Sequence, residues 1–489
     1  MTTDAPPDDE ASRAVLDRLE SMRRSDAPTH GGHVLSYVYD PGLPALDLLA
    51  RDAAAAVQSL NALDPTTFPS VALLERELVG FARDMLGGGD DVVGTVTSGG
   101  TESCLLAVKT ARDLWRRAGG TGVPTIVAPG TVHAAFHKAA DYLGLDLELV
   151  PVGPDGAVDP ARVASAIDDR TTLVVASAPS YPFAVLDPVE EIASIAAARG
   201  IACHVDACIG GWVLPWWGED VPPWDFRVPG VTSMSADAHK YGYAPKGASV
   251  LLHRGPDRLA AQFFATTRWP GYPVVNPTVL GSRSAAPLAA AWAVSQRLGA
   301  EGFAGLTSSC RRATDALIGV VDAIEGLRVV GRPTGPLFAV ATDESVAVDR
   351  RVDPYHWADE ARTLGWVLQP QPAHEQSDGS RLPRTTHLTV TPVTADVLPD
   401  LMVALEGAAD AVRGDAPASA ADVLAALPVG LEANGIDTRT ADAVLDALGL
   451  GAGSPLPDRI APVMALIEAI PGPVAERLLI ALFARLSRP

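Results

Sequence analysis

Lysine is scarce in this chain, and its placement is uneven. Of 38 basic residues only four are lysines, Lys109, Lys138, Lys240 and Lys246, and two of these fall in the single segment SMSADAHKYGYAPKG, Ser233 to Gly247. Arginine holds a carboxylate or phosphate at least as well as lysine, but only a primary amine that can lose its proton condenses with an aldehyde. Lys240 is therefore the candidate for covalent chemistry. The apolar run GVTSMSA before it and the Gly-Tyr-Ala-Pro turn after it predict a strand ending in a tight turn that presents the amine. A solvated surface lysine beside a Gly/Pro turn is the competing reading.

Two further stretches suit an aldehyde cofactor carrying a phosphate and a protonated ring nitrogen. In IACHVDACIGG, Asp206 ends an apolar strand, where a carboxylate needs a cationic partner. A protonated pyridine nitrogen would be that partner, and the carboxylate would keep the ring an electron sink. A carboxylate capping the following turn is the alternative. In DVVGTVTSGGTES, Gly99 and Gly100 let backbone N–H groups approach an anion, Ser98 and Thr101 add hydroxyls, and the following helix contributes its dipole; by itself an ordinary strand-to-helix turn is the more common reading of such a segment. Pyridoxal phosphate (PLP) has all three features, and Lys240 is well placed to carry it.

The segment SADAHKYGYAPKG, with TSGGTES and HVDAC, resembles the sphingosine-1-phosphate lyases, a branch of the PLP-dependent group II decarboxylase superfamily. The similarity covers nearly the whole chain after about residue 30. It implies fold type I (aspartate-aminotransferase-like), an α/β architecture with a mostly parallel seven-stranded sheet and a smaller α+β C-terminal domain. It implies a Schiff base at Lys240, a phosphate loop at Ser98, Gly99, Gly100 and Thr101, and His133 stacked on the pyridine ring. Cys208 and His239 fall beside the cofactor, and Lys246 matches a phosphate or active-site ligand. Tyr39, in the loop HGGHVLSYVYDPG, matches a substrate-facing tyrosine on a segment that enters the partner subunit's site. Ser282, in Gly281-Ser282-Arg283, matches a segment that reaches the neighbouring subunit's cofactor phosphate. Together these imply a homodimer with shared sites.

Two positions depart from the family. Asp64 stands where the lyases have a histidine and Val274 where they have a tyrosine, both of which help grip the substrate's phosphate or hydroxyl. A carboxylate repels phosphate, and valine donates no hydrogen bond. The expectation is therefore a PLP-dependent carbon–carbon lyase acting on a small-molecule amine or amino acid as a decarboxylase. Retro-aldol cleavage of a phosphorylated 2-amino alcohol to aldehyde and phosphoethanolamine is the alternative. A catalytically silent PLP-binding scaffold is a third reading, against which intact Lys240, Asp206 and His133 speak.

The elements that must position these groups follow from periodicity. Helical spacing at Ala11 to Met22 and Pro44 to Leu60 flanks the Tyr39 loop. From Asp91, strands alternate with helices: PTIVAPG, then a helix from near Thr131, DLELVPV, a helix opened by Asp159-Pro160, TTLVVASAPS, and a helix opened by Asp187-Pro188. This rhythm predicts a largely parallel, doubly covered sheet. His133 and His137 stand four apart on a predicted helix, but no third ligand has suitable spacing, so no metal is expected. Domain bounds are placed at 1–60 (N-terminal helices and active-site loop), 61–306 (large PLP domain), 307–414 (small domain) and 415–489 (linker and helical tail). The tail helix PVAERLLIALFARL is expected to pack on the body.

The 489 residues, 47% hydrophobic and 20% charged, are those of a globular chain with a sizeable core. A net charge of -21 argues against nucleic acid and an anionic membrane surface as partners. The acidic N-terminus has no apolar h-region and no run approaches the ~20 residues of a membrane span, so a cytoplasmic protein is expected. Cys104, Cys203, Cys208 and Cys310 show no metal-type spacing and read as small buried hydrophobes, with Cys208 set apart by its place beside the cofactor.

Overall fold

A computed structural model describes residues 10–420, 438–447 and 459–487. The central sheet has seven strands: β1 (Val92–Thr97), β2 (Thr125–Pro129), β3 (Asp146–Val150), β4 (Thr171–Ser177), β5 (Ala202–Asp206), β6 (Ser233–Ala236) and β7 (Ser249–Arg254). Their order is β1-β7-β6-β5-β4-β2-β3, with β7 antiparallel to both neighbours and the other pairs parallel. The expected mostly parallel α/β sheet is therefore present.

Why these strands read as apolar runs is clear in β4, every residue of which is buried. Leu173 and Val175 pack with Cys104 and Val108 of helix α4 (Gly100–Arg117), whereas Val174 and Ala176 pack with Ile192 of α7 (Val189–Ala197) on the opposite face. Two-residue alternation between two covered faces leaves no polar side to the strand. The carboxyl ends of β1, β4, β5 and β6 open into one crevice, the usual position for a site in such sheets.

Caps decide where helices start, and the two expected Asp-Pro starts behave differently. Asp159 caps α6 (Pro160–Ala166) by accepting from Ala161 N at 2.8 Å. Asp187 does not cap α7; its Oδ2 accepts from Ser177 N at 2.7 Å, and burial pushes its carboxyl up to about 7. The helix expected near Thr131 is α5 (Ala134–Leu143), with His133 as its N-cap. The expected 306/307 bound falls within the helical run α9 (Ala286–Ala323), two helices that meet at a kink at Gly299, whose non-helical backbone with φ of +55° suits glycine. Two short strands, β8 (Phe264–Thr266) and β9 (Val274–Asn276), form a ribbon where a long loop was expected.

Beyond the bend, β10 (Leu327–Val329), β11 (Leu337–Thr342), β12 (Gln369–Gln371) and β15 (Thr385–Thr389) form an antiparallel sheet of order β10-β11-β15-β12; a hairpin of β13 (His374–Glu375) and β14 (Arg381–Leu382) lies beside it. Helices α10 (Pro354–Thr363) and α11 (Thr394–Val412) cover it around Phe338, Trp357, Trp366 and Leu388. The N-terminal segment joins this domain. Leu35 N donates to Val367 O and Leu35 O accepts from Thr389 N, both at 2.8 Å. The buried Leu35 side chain lies in the same core, a burial worth roughly 1.5–3 kcal/mol.

Past α11, the expected linker to Ala421 is described as far as residue 420. The tail helix, Gly472–Leu486, buries Val474, Ala475 and Leu478 but leaves Ile480 and Phe483 exposed. Glu468, in helix Ala461–Ala469, fastens this module to the small domain. It accepts from Tyr355 Oη at 2.6 Å, Ala373 N at 2.9 Å and Arg384 Nη2 at 2.5 Å. No helix among the described residues is long and apolar enough to cross a membrane.

Candidate active site

Lys240 follows β6 in a turn closed by Lys240 N to Asp237 O (3.1 Å), Tyr243 N to Lys240 O (2.9 Å) and Ala244 N to Ala238 O (3.0 Å). Gly242 is required there, because a Cβ would lie 2.4 Å from Ala238 O. The turn projects the amine into a cavity of about 400 Å³ lined by Ser98, Gly99, Gly100, Thr101, His133, Asp206, Cys208, His239 and Lys240. All nine residues expected to hold the cofactor from a single chain thus meet at one place.

Burial opposes a charge on Lys240, but Asp237 Oδ2 lies 3.0 Å from Nζ, and with Tyr39, Cys208 and Asp206 nearby the ammonium's pKa rises well above its usual value. The same pairing outweighs burial at Asp237 and keeps its carboxyl low. Asp237 was not foreseen from sequence. The available signal was a charged residue three before Lys240 in an otherwise small, apolar run.

Asp206 is buried at the end of β5; its Oδ1 accepts from Cys208 N at 3.1 Å, and its main chain accepts from Ala178 N at 2.9 Å. His133 Nδ1 accepts from Ala135 N at 3.1 Å, which fixes the ring as the Nε2–H tautomer; burial lowers its pKa, so it stays neutral. Glu102 ties the anion loop in place, taking Ser98 N on one oxygen and Val279 N on the other, each at 2.6 Å. It was also missed, although an acid in the third position of a helix is a recognisable capping signal.

The cavity fits PLP. At Gly100 a Cβ would lie 2.6 Å from Asp237 Oδ2 and 2.7 Å from Cys208 Sγ, so the loop admits only glycine beside the carboxylate. His239 Nδ1 is buried and unpartnered among the described residues, and His239 Cε1 lies 3.3 Å from where a Gly99 Cβ would stand. An unpaired ring nitrogen beside a helix N-terminus matches a phosphate oxygen. Residues 33–325 match the pyridoxal-dependent decarboxylase conserved domain. The chain belongs to this family. PLP is its cofactor, and its chemistry is that of a PLP-dependent carbon–carbon lyase.

Residues 401–485 match a second description, a C-terminal putative HTH domain of pyridoxal-dependent enzymes. The chain is 36% identical over 406 residues to a sphingosine-1-phosphate lyase of Arabidopsis thaliana, covering 80% of this chain and 72% of that one. It is 33% identical over 374 residues to a probable L-tyrosine/L-aspartate decarboxylase of Methanothrix thermoacetophila, covering 74% and 92%. Among solved structures, a sphingosine-1-phosphate lyase of Burkholderia pseudomallei superposes with a TM-score of 0.76 at 32% identity, over 84% of this chain and 94% of that one.

The substrate-side residues divide into two groups. Tyr39 packs edge-on against Tyr241 with ring centroids 5.1 Å apart, and Lys246 Nζ sits 4.5 Å from the Tyr39 ring centroid while donating to His239 O at 3.1 Å. Burial pushes Tyr39 up to about 12, and burial followed by repulsion from Lys240 brings Lys246 down to about 8. Within one chain Tyr39 therefore stands beside its own Lys246 and Tyr241, although the resemblance implies a segment that enters the partner's site. The reason is the pairing of residues 33–35 with Val367 and Thr389, which fixes the loop to its own small domain. Tyr181, stacked on His387 at 4.4 Å, also lines the Lys240 cavity and was not singled out from sequence.

Asp64 and Val274 are not brought to Lys240 within one chain. They line a separate cavity of about 730 Å³ with Phe263, Tyr272 and Arg283. Both Asp64 oxygens are engaged locally, Oδ1 by Thr66 N (2.9 Å) and Thr66 Oγ1 (2.6 Å) and Oδ2 by Thr67 Oγ1 (2.8 Å), which lowers its pKa to about 2. Ser282 stands nearby, accepting from Asn61 Nδ2 at 3.1 Å, and is likewise outside the Lys240 cavity of its own chain.

Proposed function

We propose that this chain cleaves the carbon–carbon bond of a phosphorylated 2-amino alcohol, releasing an aldehyde and phosphoethanolamine. The observation that carries this reading is Lys246: a second ammonium, held over Tyr39 beside the Lys240 amine, is a ready anchor for an anionic group next to the reacting amine. The similarity to sphingosine-1-phosphate lyases supports it. The contrary inference from Asp64 and Val274 weakens, because Asp64 is taken up by Thr66 and Thr67.

PLP, when bound, supplies an electron sink for the pair released at the amine-bearing carbon. The protein's part is positioning and proton handling. Lys240 Nζ is the covalent attachment point and, once free, holds a proton beside Asp237. The Asp206 carboxylate would balance a proton on the ring nitrogen. The N–H groups at the start of α4 and His239 would hold the phosphate. Tyr39 Oη stays protonated and donates to a substrate oxygen.

Decarboxylation of an amino acid is the second reading, favoured by the Methanothrix relative. Mass spectrometry of products from a phosphorylated sphingoid base and from an amino-acid panel decides between them. A fatty aldehyde with phosphoethanolamine supports the lyase; an amine short of carbon dioxide replaces it with the decarboxylase. No product from either, with intact PLP absorbance, leaves the silent scaffold.

We further infer a homodimer. The ribbon and loop around Ser282 expose Phe264, Trp269, Tyr272, Val275, Val279 and Leu280, an apolar cluster on an otherwise strongly acidic chain. Tyr272→Asp should shift the molar mass in light scattering from dimer to monomer. An unchanged mass would remove the ribbon from the interface.

A further inference from the structure

The floor of the Lys240 cavity holds a constellation that the lyase chemistry does not use. Cys104 in α4, Asp206 at the end of β5 and Cys208 just beyond it bring two sulfurs and a carboxylate oxygen within 4.8 Å of one another, all buried. Among the described residues no other set of three such ligands converges. Cys104, Asp206 and Cys208 all line the cavity, so the set is reachable from its mouth.

Two thiolates with one carboxylate suit a thiophilic or borderline cation of the Zn²⁺ class and not Mg²⁺ or Ca²⁺. Zn–S bonds of about 2.3 Å in a tetrahedral site set the sulfurs about 3.8 Å apart, so the widest pair need close by only about 1 Å. A surrounding shell is in place. Ser235 Oγ lies 3.2 Å from Cys208 Sγ and 4.0 Å from Cys104 Sγ, and is itself held by His204 Nε2 at 3.2 Å. Such hydroxyls orient thiolate ligands. The hydrogen bond with Cys104, then burial, keeps the Cys208 thiol protonated, which makes the pair poor targets for oxidants; a coordinated cation removes the proton directly.

We propose that the cofactor-free chain binds one thiophilic divalent cation through Cys104 Sγ, Cys208 Sγ and the Asp206 carboxylate, and that this ion and PLP exclude each other. Two thiol protons leave to solvent on binding. The exclusion rests on Asp206 facing the pyridine nitrogen, as read above; the ion site itself stands on the three side chains.

The test is titration of the full-length chain, stripped of PLP, with Cd²⁺, read by the thiolate-to-cadmium absorption band in the ultraviolet. The expected result is saturation at a single Cd²⁺ per chain with proton release. Cys104→Ala and the size-conserving Cys104→Ser should both weaken binding by about a hundredfold or more while still taking up PLP. Undiminished affinity in both variants, or binding without the band, overturns the ion site. Excess PLP should abolish the band. If PLP-loaded protein binds Cd²⁺ as tightly as the stripped chain, the exclusion is overturned and Asp206 does not face the ring, whereas the ion site stands.

Discussion

The Lys240 cavity and the Asp64–Val274 cavity differ in how they are built. The first, about 400 Å³, is made of strand ends and a helix N-terminus, and its charges are matched across it: Lys240 to Asp237, Glu102 to two backbone N–H groups, and Asp206 to Cys208 N. The second, about 730 Å³, is made mostly of loops and the β8–β9 ribbon; its loop residue Asp64 is satisfied by its own neighbours, and Glu75 pairs with Arg283 at 3.6 Å. A titratable amine paired with a buried carboxylate fits chemistry, and a self-satisfied polar loop beside exposed aromatics fits the proposed association.

Substitutions should separate the two cavities by size of effect. Lys240→Ala should lower kcat by about a thousandfold or more and abolish the product of borohydride reduction between protein and cofactor. Asp206→Asn keeps the shape but not the charge, and should cost about 10²- to 10³-fold in kcat with a shifted cofactor absorbance. Lys246→Ala should raise KM about tenfold for an anionic substrate with kcat nearly unchanged. In the wild type, Lys246 loses its proton as pH rises through about 8, so KM should climb above that pH, and the climb should vanish in Lys246→Ala. The double substitution Asp64→His with Val274→Tyr should change kcat/KM by no more than about threefold. A tenfold gain on a phosphorylated amino alcohol would place the second cavity in the substrate path and dissolve the distinction.

Much of the first cavity was legible in the sequence, because its members sit at strand ends and turns with local signatures: the lysine after a short strand, the aspartate closing an apolar run, the paired glycines. Asp237, Glu102 and Tyr181 were missed because each acts on a group that is distant in sequence or looks like an ordinary loop residue. The cap at Asp159 obeyed local rules, while Asp187 broke the same rule because Ser177 N, from another element, competed for its carboxylate. The helical run that carries the chain past residue 306 could not be divided from sequence, because its break is a single residue, Gly299, with a non-helical backbone and a positive φ. The place of Tyr39 beside its own chain's Lys246 was not legible for a further reason: the hydrogen bonds that hold residues 33–35 come from Val367 and Thr389, more than three hundred residues away.

That N-terminal segment has a mechanical consequence. Its backbone is stitched into the small domain at Leu35, while four residues later Tyr39 packs on Lys246 and Tyr241, and Tyr241 Oη reaches back to Pro336 O and Val390 O at 3.1 and 2.8 Å. The segment is thus a lever whose fulcrum is in one domain and whose tip is in the other's reaction chamber. Any tilt of the small domain would be felt first as a displacement of the tyrosine above the substrate. A chain shortened to begin after Gly42 should lose that gauge and the edge of the small-domain sheet together, a loss visible as a lowered melting temperature alongside a raised KM.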